Sequence, residues 1–359
     1  MKKLFLLFVF LVASSVTHGH HYWLLDDFVQ QHPLQKKLMD NFSEQIRVDA
    51  IPLTVNQTSP VRIAIIYPSR QVSDYWRRSV IAFEARLDAL NVKYSLKVYD
   101  TKLHGSNNQQ QKILQKILLS EPDFLILTIG ANTDIELLEK VLKNKKTKVI
   151  IQNVTNPRIK WKDYQPLLYV GFDHVTGTKL LADYFLQHFR PCKFAINDYY
   201  PGYISEVRSA SFVSIMERQP NFELISHVHT KATQGDAYRK TLALVKKNPD
   251  IKFIYAASTD IALGTSKALH ALQRRDILVN GWGGGESELK AIEKGELAVT
   301  VMRMNDDNGV AMAEAVKLVL EGKKETIPVV YSGDFVLVSA KTKKQEQGLL
   351  IKRSFRYSN

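Results

Sequence analysis

A chain of 359 residues, 45% hydrophobic and 24% charged, has room for two domains with full cores; it excludes disulfide-stapled miniatures, collagen-like repeats and largely disordered chains. Lys and Arg number 49 against 36 Asp and Glu, giving +13. The excess is scattered, and no helix-turn-helix, zinc-finger or RNP spacing accompanies it, so nucleic acid is not an expected partner.

Residues 1–19 carry a separate message. Lys2 and Lys3 precede an apolar run over 4–12, and Ser14, Ser15 and Gly19 follow. Charged, apolar and small segments in that order describe a secretory signal peptide, with an apolar run too short to span a bilayer. No later stretch is apolar for long enough to form a membrane helix, so no membrane insertion is expected once the signal is removed. The single cysteine, Cys192, permits no intramolecular disulfide. An exported chain held by its core alone, behind a short bacterial-style signal, points to the periplasm. Cys192 itself reads as a small apolar residue at the start of a strand.

Residues 20–60 read as a helical extension packed on the body. Leu24, Leu25 and Phe28, then Leu34, Leu38 and Phe42, have helical spacing interrupted by Pro33, giving two short helices or one broken one. His18, His20 and His21 lie close together. No carboxylate or cysteine is spaced to complete a cage, so a solvated terminus is favoured and no metal is expected.

From residue 61 onward, short apolar β-branched runs alternate with amphipathic stretches. Strands are predicted over 61–67, 94–99, 124–128 and 148–153, with helices over 75–90, 108–119 and 134–142 between them. Apolar strands separated by helices indicate a parallel sheet covered on both faces, hence an α/β fold. After the polar stretch 155–166 the rhythm resumes: helix 175–189, strand 192–197, helix 205–217, strand 222–229, helix 236–247, strand 253–257, helix 261–272, strand 277–280. So many parallel strands are more economically held as two similar doubly wound lobes than as one sheet. Helix 286–293, strand 297–302, helix 308–320 and strand 331–338 then follow. They append simply to neither lobe, so the chain crosses between lobes more than once.

The C-terminal ends of parallel strands border the ligand crevice. Gln71, Ser73, Asp74 and Trp76 follow the first strand; Thr128 and Asn153 end the third and fourth; Ser258, Thr259 and Asp260, then Trp282 and Arg303, follow later ones. Aromatic faces, hydroxyls, amides, a carboxylate and a guanidinium make a mixture suited to a small polyhydroxylated ring. Individually, Asp74 and Asp260 are equally readable as helix caps, Trp76 and Trp282 as core aromatics, and Arg303 as an ion-pair partner. Enzymatic readings find less support. Gly283-Gly284-Gly285 does not complete G-x-G-x-x-G, and neither a P-loop, a G-x-S-x-G elbow nor H-E-x-x-H occurs.

Longer runs carry a resemblance. They include Gln71-Val72-Ser73-Asp74-Tyr75-Trp76, Tyr169-Val170-Gly171-Phe172-Asp173-His174, Ser258-Thr259-Asp260, Asn280-Gly281-Trp282-Gly283-Gly284-Gly285 and Val301-Met302-Arg303-Met304-Asn305-Asp306-Asp307. From about residue 61 to its end the chain resembles the type I periplasmic binding proteins of the ribose-binding class, and within them the receptors for the quorum-sensing signal autoinducer-2. The resemblance implies two lobes joined by three crossovers near Tyr169, Gly283 and Ile327. Residues 61–168 plus 284–326 would form one lobe, and 169–283 plus 327–359 the other. It implies a furanosyl borate diester as ligand, with boron entering only as part of that ligand and no separate cofactor. Arg208 and Arg303 match the borate-contacting pair, alongside Gln71, Ser73, Trp76, Asn153, Ser258, Thr259, Asp260, Trp282 and Thr128. It further implies a LuxQ-like membrane sensor kinase as partner. A ribose-like sugar carrier serving an ABC transporter is the alternative, and an enzyme acting on a small polyol a third.

Overall fold

The computed structural model describes residues 21–68, 71–101, 107–130, 133–199 and 202–359. The expected signal peptide, with His18 and His20, lies outside the described residues. The extension is two helices, α1 (Leu25–Gln31) and α2 (Pro33–Arg47), and Pro33 sits at the start of the second, where its missing N–H goes unmissed.

Two six-stranded sheets follow. The first is built from β1 (Val61–Pro68), β2 (Tyr94–Thr101), β3 (Phe124–Leu127), β4 (Lys148–Gln152), β5 (Leu168–Gly171) and, much later, β11 (Val330–Ser332), in the order β11-β5-β4-β3-β1-β2. Helices α3 (Tyr75–Ala89), α4 (Asn107–Leu119) and α5 (Ile135–Asn144) lie between its strands. The second sheet runs β12-β10-β9-β8-β6-β7. Its strands are β6 (Lys193–Tyr199), β7 (Glu223–Thr230), β8 (Phe253–Ala256), β9 (Leu278–Gly283), β10 (Val299–Arg303) and β12 (Phe335–Ser339). Helices α6 (His174–His188), α7 (Ala210–Met216), α8 (Gln234–Lys247), α9 (Thr259–Ala271), α10 (Glu286–Glu293), α11 (Asp306–Leu320) and α12 (Lys344–Ser354) complete the chain. A π-helical turn, Ser205–Ser209, leads into α7. Central strands such as β3 and β8 are buried at every position, as helices on both faces require.

The sheet memberships move the expected lobe boundaries. β5, expected to divide between lobes at residues 168 and 169, pairs with β4 and β11 and belongs wholly to the first sheet. Residues 284–304 were expected with the first lobe, yet β10 pairs with β9, and Leu289, Ile292 and Leu297 join the second core. The crossing comes after β10, and α11 then packs Val310, Met312 and Val316 into the first core. The predicted strand 331–338 is two strands in two sheets. Tyr331 pairs with Val170 in the first sheet, whereas Phe335 pairs with Arg303 in the second. Only Gly333 and Asp334 separate them, and β12 runs antiparallel to β10, the exception in an otherwise parallel pair of sheets.

All three crossings lie side by side. Gly333 N–H donates to Gly171 O at 2.9 Å, Asp173 N–H to Ser332 Oγ at 3.0 Å, and Met304 N–H to Asp334 O at 3.1 Å. Three adjacent, hydrogen-bonded connections constrain the lobes to bend about one axis.

On the first lobe α11 crosses α3 at close quarters. A Cβ at Gly309 would stand 2.5 Å from Ser79 O and 2.7 Å from Phe83 N, both backbone atoms of α3. We expect Gly309→Ala to force the helices apart and lower unfolding free energy by about 1–3 kcal/mol in urea denaturation; an unchanged midpoint would show that this crossing yields freely.

Candidate functional site

Strand ends from both sheets meet at the seam between the lobes. The loop after β1 reaches across: Val72 N–H donates to Asp260 Oδ1 at 3.3 Å. Burial raises the affinity of the Asp260 carboxyl for its proton, and the backbone N–H groups of Val72 and Ser73 oppose that. Asp74 stands at the N-cap of α3 but makes no capping bond; its carboxylate instead pairs with Arg78 at 2.7 Å and abuts Gly285, where a Cβ would lie 2.6 Å from Oδ1.

The two arginines named from the sequence face this seam and are almost fully covered, Arg208 at 4% and Arg303 at 6% exposure. Arg208 projects from the π-helical turn. Its guanidinium lies 3.7 Å from the centre of the Trp282 ring, and Nη1 donates to Ala257 O at 2.7 Å. Arg303, the last residue of β10, lies 4.3 Å from the centre of the Tyr75 ring, contributed by the other lobe. Gly283 has to be glycine here: its φ is +141°, and a Cβ would meet Arg303 Nη2 at 2.5 Å. Burial pushes Arg208 down to about 10, and Arg303 is lowered for the same reason. Both stay protonated at neutral pH. Among the described residues neither has a carboxylate within ion-pairing distance, and Arg303 Nε is buried without a hydrogen-bond partner.

His174 stands beside Arg208, and sequence reasoning missed it. It opens α6 just past the first crossing and is fully buried. Its Nδ1 lies 3.4 Å from Arg208 Nε and Nη2, and its Nε2 lies 3.4 Å from Asn153 O. Burial, then Arg208 and Arg303, hold its pKa well below the usual range. The imidazole is therefore neutral, and Nδ1 accepts from the guanidinium.

The other expected residues are distributed around this centre. Asn153 follows β4 in a left-handed conformation, φ 63°, with Oδ1 buried and unbonded among the described residues. Ser258 caps α9 by accepting from Ile261 N–H, and Thr259 donates to Trp282 O at 3.1 Å, so both hydroxyls already serve the scaffold. Trp282 is buried, with Nε1–H donating to Tyr255 OH at 3.0 Å. Trp76 packs on Tyr75 and stacks near Tyr67 in the first lobe. Gln71, Ser73 and Thr128 are half-buried; among the described residues their side chains make no hydrogen bond with the rest of this set.

Two further residues shape the site without having been singled out. Glu288, fully buried on α10, accepts from Trp282 N–H and Gly284 N–H, each at 2.8 Å, and from Thr300 Oγ1 at 2.6 Å, which fixes the end of β9 that carries Trp282. Tyr75 receives Asn308 Nδ2–H at 2.7 Å and so holds its ring under Arg303. A carboxylate three residues past a triple glycine was the available signal for Glu288. For Tyr75 and His174 the signal was adjacency to named motifs.

His174 also ties stability to pH. In the unfolded chain a histidine takes up a proton as pH falls through about 6.5, whereas buried His174 resists it, so stability is lost as pH drops below that point. Urea denaturation should show His174→Gln losing less stability than the parent between pH 6.5 and 5.5, by up to about 1.4 kcal/mol per unit. Parallel slopes would mean that His174 is protonated in the folded state.

The profile of the periplasmic binding protein domain matches residues 63–324. The ribose import binding protein RbsB of Escherichia coli (strain K12) is 32% identical over 95 residues, 26% of this chain and 31% of that protein. A D-apiose import binding protein of Paraburkholderia graminis is 28% identical over 97 residues, 27% and 31% of the two chains. These alignments thus span about a third of either relative. Among solved structures, GanP, a glucose-galactose binding protein from Geobacillus stearothermophilus, superposes with TM-score 0.69 at 17% identity, covering 80% of this chain and 100% of that one. A galactofuranose binding protein gives TM-score 0.71 at 16% identity over 82% and 100%. Both share its two-lobed α/β fold. With a matched span of well over half its length, this chain belongs to the periplasmic binding protein domain family.

Proposed function

We propose that the seam between the lobes binds a small, oxygen-rich ring of the sugar class, and that ligand contact with both lobes favours the closed form. Residues from both lobes contribute: Asn153, Trp76 and Tyr75 from one, Arg208, Ser258, Trp282 and Arg303 from the other. The relatives are import binding proteins for ribose and D-apiose, which supports a sugar carrier that delivers its ligand to a membrane permease.

One observation favours a second reading of the same site. Two buried guanidinium groups with no carboxylate partner among the described residues suit a ligand that carries negative charge on clustered oxygens. A furanosyl borate diester, the form of autoinducer-2 bound by LuxP-like receptors, has this character. In that reading closure is relayed to a membrane sensor kinase rather than a permease. A neutral sugar would use the same N–H donors toward its hydroxyls, with weaker individual bonds.

Calorimetry separates the two. Ribose, D-apiose and D-allose are titrated in parallel with autoinducer-2 precursor, with and without borate. Tight binding of a plain sugar, indifferent to borate, establishes the carrier; binding that requires borate establishes the anionic ligand. In either case Arg208→Ala and Arg303→Ala should each weaken binding about 10- to 150-fold, the equivalent of a charge-assisted bond of about 1.5–3 kcal/mol. Unchanged affinity in both variants would place the ligand elsewhere.

A further inference from the structure

On the outer edge of the second lobe, away from the arginine pair, three metal-ligating side chains converge. Asp198 is on β6, and His227 and His229 are on β7, the edge strand. The strands are parallel, with Asp198 opposite His229. Opposed residues share a face, and residues two apart along a strand do so as well, so all three side chains emerge together. One ligand atom from each lies within 4.8 Å of the others. They line a groove of about 390 Å³ between the sheet edge and α7, together with Glu206, Val213 and Glu217.

The local chemistry is that of a prepared site. His229 Nδ1 lies 2.8 Å from Tyr199 O. A carbonyl only accepts, so Nδ1 carries the proton and the Nε2 lone pair is free, the second-shell arrangement that orients metal-binding imidazoles. His227 Nε2 lies 3.1 Å from Asp198 Oδ2, close to the roughly 3.3 Å that separates two ligands of a tetrahedral ion with bonds of about 2.0–2.1 Å. Asp198 is buried, with a side chain 1% exposed, and its other oxygen accepts Tyr199 N–H at 2.6 Å, which fixes the carboxylate. The rings of His227 and His229 are 4.7 Å apart, and His227 keeps about a third of its side chain open to solvent, leaving an entry path.

We propose that Asp198, His227 and His229 form a binding site for a divalent late first-row ion of the zinc type. Two imidazoles and one carboxylate are the borderline donor set such ions prefer, and three protein ligands leave one position facing the groove. On entry the ion takes the place of the proton on His227 Nε2 that faces Asp198, and the ring is re-protonated at Nδ1 through solvent, so the imidazole stays neutral and no net proton is released. The bound ion links β6 to the edge strand β7. The site is independent of what the interlobe seam binds.

Zn²⁺ is titrated into metal-stripped full-length protein by calorimetry, and Co²⁺ is added in parallel while visible absorption is followed. One ion per chain is expected, with a tetrahedral Co²⁺ spectrum. His227→Ala and His229→Ala should each weaken binding at least tenfold, with folding of the variants checked by circular dichroism; both are surface-accessible, so their folds should survive. His21→Ala should change nothing. No binding at micromolar metal, unaltered affinity in the His227→Ala/His229→Ala double variant, or loss of binding in His21→Ala alone would each overturn the assignment.

Discussion

Burying two guanidinium groups at one seam removes two cations from water, and the described residues return no carboxylate to either. What they return is softer. Arg208 is laid against the Trp282 ring, Arg303 against Tyr75, and a neutral imidazole stands beside Arg208. Aromatic faces attract a cation by their quadrupole but recover only part of a lost hydration shell. Much of the surrounding architecture follows from holding these side chains in place. Glycine at 283 makes room for one, the carboxylate of Glu288 fixes the end of β9 that carries the tryptophan, and Asn308 fixes the tyrosine.

The rings also connect the lobes. Trp76, Tyr75, Phe172, Phe335, Trp282, His174 and Tyr203 form an unbroken series of ring contacts with centroids 4.8–6.4 Å apart. Phe172 and Phe335 sit at two of the crossings. The rings flanking the arginine pair are therefore continuous with the three crossings, so a change at the arginines has a packed route to the connecting segments. Interiors of this density shift between discrete arrangements rather than deform smoothly, which suits a clamp with open and closed states.

The helical extension has a structural role beside that hinge. Phe42 and Ile46 of α2 enter the first core, Gln35 accepts from Val329 N–H just before β11, and Arg47 pairs with Asp334 at 3.0 Å in the third crossing. The C-terminal segment returns to the same place, with Arg356 donating to Ile46 O. Beneath them Arg86 and Glu314, each 1% exposed, pair at 2.6 Å and join α3 to α11. The helical extension and the C-terminal segment thus brace the first lobe beside the third crossing.

Periodicity alone made the α/β class, two lobes and most elements legible, because apolar strands of four to eight residues and amphipathic helices each bury a face that local spacing records. It also picked out the strand-end residues, since parallel sheets expose function at one edge. It could not assign β10 or divide 331–338 between sheets, because the side-chain pattern of a strand is the same whichever neighbour it pairs with. Nor could it show that Thr259 and Asp260 are engaged with the scaffold, that His174 is neutral beside Arg208, or that Asp198 faces His229. Those properties depend on distance and burial among residues tens to hundreds of positions apart. Charge, lone-pair direction and solvent access are set by what surrounds a side chain, and here the surroundings exist only once both lobes have folded and met.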